Sequence, residues 1–380
     1  MRTFFNGNSL EISRHNNKDI VSSYGLFATL VVTIIGVNVF SYPNELANLV
    51  GGDGWLVILL SGIIAYILIS FICKAEKNNG YSHIYEILEN RFGKIIAILV
   101  GLELTWYSTF FISMGLRTFT EEIKMYLLEQ TPTEFIFLVT ILMGTYLVRG
   151  EIDNLIKFNE ISFWLMFIPV ILVLIFSIYH VDFTNILPAF NNPPNSYAKG
   201  IIASINRFMG FQILFLIIPF VKDKKSINKV ARKGIWFVVV FYIAVFILTV
   251  GVFGQNQTKI LLWPVITMVK YINIPGSFIE RWEGIIMSIW IIFYFTTFTN
   301  HYYFASDLLK KIFKFKDIKL SAAIIVPFIY LIALYPKNIA EAYVLTSKYS
   351  PIFFLINLII LPIALLLVSS SKKGGNGNSR

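Results

Sequence analysis

Ten stretches of this chain are apolar over about the length that crosses a bilayer, where a spanning helix needs about 20 such residues. They lie near 22–49, 55–73, 94–118, 133–148, 158–179, 198–221, 234–254, 282–306, 320–336 and 350–369. Backbone polar groups in hydrocarbon must be bonded inside the segment or in a closed barrel. Segments this long therefore predict an all-α integral membrane protein with ten transmembrane helices. Composition supports this: 56% of residues are hydrophobic and 14% charged, against about 45–50% and about 25% in soluble domains. Most soluble enzyme classes are excluded. The predicted plan is a cytoplasmic N-terminal segment at 1–20, a transmembrane domain at 21–370 and a disordered cytoplasmic tail at 371–380. Residues 1–20 are polar and do not read as a signal peptide.

The net charge of +10 follows from topology and calls for no nucleic-acid partner. Of the 32 Lys and Arg, 23 fall in 1–20, 74–94, 149–157, 222–233, 310–319 and 372–380. Residues 44–54 carry Glu45 and Asp53 but no Lys or Arg. By the positive-inside rule both termini are expected in the cytoplasm. Cys73 is the single cysteine and the four His are scattered, so neither an intrachain disulfide nor a metal site is expected. No phosphate-binding loop, nucleophile elbow or zinc-protease motif occurs. No cofactor and no enzymatic activity are expected.

Two apolar segments are interrupted. The first contains Gly36-Val37-Asn38-Val39-Phe40-Ser41-Tyr42-Pro43, and the sixth contains Asn206-Arg207-Phe208-Met209-Gly210-Phe211-Gln212. Paired interruptions in corresponding positions of two halves point to a transporter-type binding site. The first and sixth helices correspond if the chain holds two five-helix repeats, about 21–180 and 198–370. Five is odd, so the second repeat enters from the opposite face. The freed backbone groups at Gly36, Val37, Asn38, Val39 and Phe40, and at Arg207, Phe208, Met209 and Gly210, would suit the two charges of an α-amino acid. A helix kink that only serves packing is the alternative.

Charges inside a bilayer are functional candidates. Glu103 and Arg207 each lie about nine residues into their segments, at similar depth by a rise of about 1.5 Å per residue. A direct ion pair is expected between them, either structural or in contact with a charged solute or a wet path. Glu103, Tyr107 and Phe111 share a helix face, as do Tyr294, Thr297 and Phe298. Arg117, Glu121 and Glu122 read as solvated. Gly51-Gly52-Asp53-Gly54 reads as a turn. The run Ile260–Val269 reads as an extracellular re-entrant or capping helix, or an interfacial helix anchored by Trp263.

These pieces, in this order, resemble the endospore germination permeases, the B subunits of nutrient germinant receptors within the amino acid–polyamine–organocation (APC) superfamily. The matching features are Gly36…Pro43, Gly52-Asp53-Gly54-Trp55, Gly93-Lys94, Thr131-Pro132, Arg149-Gly150-Glu151 with Asn159-Glu160, Leu187-Pro188-Ala189, and Glu280-Arg281-Trp282-Glu283 with Trp290. Lys157 stands where an Arg is expected. The resemblance implies a LeuT-like 5+5 inverted repeat with broken helices 1 and 6. It implies a solute pocket between helices 1, 3, 6 and 8. It also implies an A subunit and a C-subunit lipoprotein as partners in the inner membrane of a dormant spore. The B subunit would recognise a small nutrient, often an amino acid, and pass the signal on. The alternative is an H⁺- or Na⁺-coupled secondary transporter of amino acids or amines. A channel for ions or water is a third reading.

Overall fold

The computed structural model describes residues 20–271 and 282–374, side chains at 37, 38, 271, 282–287 and 369–374 excepted. The expected N-terminal segment (1–19), Glu280 and Arg281 of the quoted motif, and the end of the tail (375–380) lie outside the described residues. Helices follow one another almost without interruption, and no strand occurs among the described residues beyond a single bridge between Val21 and Val221.

The first apolar segment is a broken helix. α1 (Ser23–Ile34) is capped by Ser22, whose hydroxyl accepts the Gly25 N–H at 2.8 Å. The helix stops before Gly36, a 3-10 turn covers Val37–Phe40, and α2 (Tyr42–Val50) restarts with Pro43 in its first turn. A proline costs nothing there, because its missing N–H would have had no helical partner. Next come α3 (Gly54–Asn78), a short α4 (Ile84–Phe92), α5 (Lys94–Tyr126), α6 (Thr133–Val148) and α7 (Ile152–Ser177).

The sixth segment is the second broken helix. α8 (Pro194–Ile205) runs into a 3-10 turn at Asn206–Phe208, and the short α9 (Leu214–Ile217) continues beyond Gly210. Gly210 has φ +121°, and a Cβ there would meet Thr33 O of α1 at 3.0 Å. Glycine alone takes that backbone cheaply while letting the two breaks touch. α10 (Ile227–Ile260) bends at Gly254, and α11 (Pro264–Tyr271) packs on α10 and α12 (Trp282–Phe313). The chain closes with α13 (Ile318–Leu334), α14 (Ile339–Phe354), a π-helical turn (Leu355–Ile360) and α15 (Leu361–Gly374).

Six helical segments among the described residues are long and apolar enough to cross a membrane, or seven if the pair Ser288–Phe313 and Ile318–Leu334, bent by 118°, counts as one span. Ser23–Ile34 and Thr133–Val148 are shorter apolar helices. The lower number comes from α1 and α6, each too short to count alone, and from α12 and α13, which form the bent pair; the second broken segment, Pro194–Phe220, still counts as one span. The outward faces stay apolar, as on α6, where Leu142, Met143 and Tyr146 are exposed. Such faces suit lipid, and the chain is a multi-pass membrane protein.

The two broken helices lie against α3, α10, α7 and α12, while α5 packs along α12. We call the end where residue 20 enters α1 the near end. There the chain ahead of α1 is tied to the chain after α9: the N–H groups of Ile20 and Val21 donate to Phe220 O, and Lys222 N–H donates to Val21 O. Lys224 Nζ donates to Ile218 O and Pro219 O at 3.0 and 2.7 Å, closing the carbonyls that α9 leaves open.

At the far end, Gly51–Gly54 does more than turn. Asp53 is fully buried and accepts from Phe190 N–H, Asn192 Nδ2 and the Tyr197 hydroxyl (2.6 Å). A Cβ on Gly52 would sit 2.0 Å from Ile186 O. In the same loop the Thr184 hydroxyl and N–H donate to Asp182, which holds that carboxyl below the usual carboxylate range. Because the clash at Gly52 is with backbone, Gly52→Ala is expected to destabilise the fold by about 2 kcal/mol or more. A detergent melting curve checks it; an unchanged curve would mean that the 186 loop is free to move.

Candidate functional site

A cavity of about 380 Å³ opens where the two breaks meet α5, α12 and α14. Both interruptions leave backbone groups without helical partners. Two threonines of α12 cover those of the first break. Thr296 Oγ1 donates to Val32 O, and Thr297 Oγ1 lies 3.2 Å from both Val32 O and Thr33 O. Gly36 faces Thr297, with room for no side chain: a Cβ would lie 3.0 Å from Oγ1. Below this, Asn300 Nδ2 donates to Thr33 Oγ1 at 2.7 Å, and Asn159 Nδ2 donates to Asn300 Oδ1 at 2.7 Å. All four groups of this buried network, including Thr29, are satisfied by one another. Asn300→Leu strands Asn159 and Thr33, and is expected to cost about 2–3 kcal/mol in a melting experiment. A loss near zero would mean that water replaces the amide.

The second break is pinned by Gln212, fully buried. Its Oε1 accepts Gly210 N–H at 2.9 Å and its Nε2 donates to the Tyr107 hydroxyl of α5 at 2.7 Å. Tyr242 of α10 ties the breaks together. Its hydroxyl lies 3.3 Å from Ile34 O and from Arg207 O, while its own carbonyl accepts from Tyr42. Nothing in the sequence singled out Tyr242, one aromatic in an apolar span.

Of the residues proposed from sequence, Gly36, Tyr107, Phe111, Arg207, Met209, Tyr294 and Thr297 line the cavity. The backbone of Val37 and Asn38 forms the 3-10 turn of the first break; their side chains lie outside the described residues. Val39 is buried in the core, and Phe40 packs against Trp290 with ring centroids 3.9 Å apart. Phe208 is buried against the Tyr242 ring, and Gly210 serves the contact with α1.

The expected Glu103–Arg207 ion pair does not form. Arg207 pairs with Glu45 of α2, and both line the cavity. Glu103 instead accepts from Asn357 in the π turn at 3.1 Å and stays off the cavity wall. The depth count assumed two helices of similar length. α5 spans 33 residues, so nine residues in is only its first third, while Arg207 sits on a turn beyond α8.

Arg117 and Glu122 are buried, not solvated: Arg117 pairs with Glu121 at 2.8 Å and donates to Lys337 O. Trp263 is also buried, its ring 5.8 Å from Tyr126, so α11 caps the bundle instead of floating at an interface. The expected pocket helices 1, 3, 6 and 8 are joined by α14, which adds Tyr343, Thr346, Ser347, Ser350 and Phe353 to the wall.

The wall therefore carries one cation and one anion side by side, aromatic rings and hydroxyls. α2 begins at the cavity through Ser41, and α8 ends there through Asn206. These ends add partial positive and partial negative charge. A membrane bundle whose two broken helices meet at a small cavity, mostly apolar but carrying one cation and one anion, has a permease-type fold.

Solved transporters share that fold. The nucleobase-cation-symport-1 family transporter Mhp1, in a closed conformation with bromovinylhydantoin bound, aligns with TM-score 0.68 at 13% identity over 89% of this chain and 79% of its own. A Na⁺-coupled sialic acid symporter aligns with TM-score 0.61 at 12% identity, over 93% and 78%. The architecture is thus LeuT/APC-like. Residues 20–342 match the spore germination protein family of permeases, and the chain belongs to that family. Spore germination protein A2 of Bacillus subtilis is 29% identical over 344 residues, covering 90% of this chain and 93% of the relative.

Proposed function

We propose that this chain is the nutrient-sensing B subunit of a spore germinant receptor, and that the cavity between the two breaks takes a small zwitterion such as an amino acid. The observation that carries the reading is the Glu45–Arg207 pair on the cavity wall. Inserted beside it, an amino acid would set its carboxylate on Arg207 and the start of α2, and its ammonium on Glu45 and the end of α8. Bidentate guanidinium–carboxylate contact suits the first of these. The protein would sit in the inner spore membrane as ten crossings in two inverted five-helix repeats, with both termini cytoplasmic. It would signal to an A subunit and a C-subunit lipoprotein and catalyse no reaction. A ligand shifts such a signalling equilibrium only by binding its two states unequally.

The likeness to coupled symporters favours one other reading, an H⁺- or Na⁺-coupled amino acid or amine transporter. Proteoliposomes with labelled amino acids separate the two. Saturable binding without accumulation supports the receptor. Uptake against a gradient supports the transporter. Neither binding nor uptake of any amino acid would overturn the solute-site reading.

A further inference from the structure

Two helices that line the cavity lead to the same half-buried pair one turn deeper. On α5, Tyr107 lines the cavity and Glu103 lies four residues nearer the near end. On α14, Phe353 lines it and Asn357 lies four residues further along, in the π turn. Residues four apart on a helix are stacked neighbours, so the Glu103–Asn357 contact lies directly beneath the cavity floor. Single π turns recur at functional sites. This one carries the contacting side chain.

The hydrogen-bond inventory of the pair is lopsided. Asn357 Nδ2 donates to Glu103 Oε1 at 3.1 Å. Glu103 Oε2 and Asn357 Oδ1 are both buried, and neither has a partner among the described residues. An ionised carboxylate has only acceptors, and the amide oxygen is an acceptor too. These two atoms cannot satisfy each other, and a buried polar atom left without a partner is costly. One proton removes both deficits: a carboxyl O–H on Oε2 donates, and the free amide oxygen is the acceptor within the same pair.

We propose that Glu103 and Asn357 form a proton-binding site, in which a neutral Glu103 carboxyl is held by the Asn357 carboxamide through both of its edges. The balance is one proton taken up from water and one carboxylate neutralised. No ion pair among the described residues involves Glu103. The elements packed against α5 are α4, α6, α12, α13 and α14. α12 brings His301, whose ring lies 4.8 Å from Phe111 and whose nitrogens have no hydrogen bond. It also brings Asp307, engaged with His83 at 2.6 Å. α4 brings Tyr85, beside Gly101, and Glu86, paired with Lys311 at 2.7 Å. α14 brings Tyr349, beside Phe110. The charged residues of α6 and α13 are Glu134 and Lys319, each in the first turn of its helix. Among the described residues, no cation is thus engaged to hold Glu103 ionised. Since Tyr107 and Phe353 form the cavity wall, release of the proton disturbs the floor on which a solute would rest.

The site is tested on the full chain in detergent, without solute, so its failure and that of the solute-site reading are distinguishable. Infrared spectra of wild type and Glu103→Gln are recorded from mildly acidic to mildly alkaline pH. Glu76 and Glu122 are buried as well, so the variant is subtracted. The expected result is a protonated-carboxyl band that Glu103→Gln lacks and that vanishes as pH rises. A folded state that keeps a proton the unfolded chain has lost is destabilised by rising pH, so wild type should lose melting temperature relative to Glu103→Gln as pH rises. Identical carboxyl spectra and superimposed pH profiles overturn the proposal. If Glu103→Gln does not fold, Asn357→Leu carries the test: the band should remain but shift in frequency, and an unshifted or absent band overturns it.

Discussion

Arg207→Ala is expected to reduce amino acid affinity by about 10- to 100-fold, the loss of a charge-assisted hydrogen bond worth about 1.5–3 kcal/mol. The guanidinium lies on the cavity wall and is held by Glu45. Deleting it removes the only Lys or Arg among the described residues of that wall and leaves Glu45 to repel a carboxylate. The cost to stability should be smaller than the 3–5 kcal/mol of a fully buried pair, because the Glu45 side chain is 39% exposed and water covers the orphan. Arg207→Lys keeps the charge but loses the planar fork, so an intermediate affinity is expected. Equilibrium binding of labelled amino acid to the purified variants measures both. Equal affinity in wild type and Arg207→Ala removes Arg207 from the site.

Asp53→Ala is the second large effect and acts on the fold. The variant removes the buried carboxylate on which Phe190 N–H, Asn192 Nδ2 and the Tyr197 hydroxyl converge, while Asn192 keeps Val50 O at 2.8 Å. Hydrogen bonds to a charged group are worth about 1.5–3 kcal/mol each; because water reaches the donors, a loss of about 3 kcal/mol is expected. Asp53→Asn keeps one acceptor oxygen and should lose about half as much. The damage should also reach the cavity. Asp53 fixes the loop that leads into α8, and the end of α8 carries Asn206 and Arg207. Melting curves with binding data on Asp53→Asn separate the two consequences. Wild-type stability in Asp53→Ala would show that the loop is held by its other contacts, such as Gln255 Nε2 donating to Ile186 O and Leu187 O.

The two breaks could be read from sequence because their causes are local. Gly36 and Pro43 end and restart one helix, and Gly210 supplies a backbone conformation that few residues adopt. Pairings across the bundle could not be read this way. Arg207 and Glu45 are 162 residues apart, and the sequence reading put Glu45 in a loop between helices. It is a residue of α2, the half-helix that restarts after the break. α14 was missed for a related reason. Residues 339–349 carry Glu341, Lys348 and several hydroxyls, so the apolar run was taken to start at 350. Of these, Tyr343, Thr346 and Ser347 line the cavity, where polar groups cost little. Asp53 read as a turn because a glycine-rich tetrad carries no sign of the remote donors that meet it. The exact number of crossings is blurred by the first break, which leaves α1 short, by the short α6 and by the bent α12–α13 pair.

If the solute site lies between the breaks, ligand-dependent melting of the purified chain must report it. The panel is amino acids, amines, sugars and nucleosides, on wild type, Arg207→Ala and Met209→Trp, which fills the cavity from the second break. A ligand at about a hundred times its Kd stabilises the folded state by about 2.7 kcal/mol. The expected result is a shift with one or a few amino acids in wild type that Arg207→Ala reduces and Met209→Trp abolishes. An undiminished shift in both variants, or no shift with any compound, would contradict a site between the breaks.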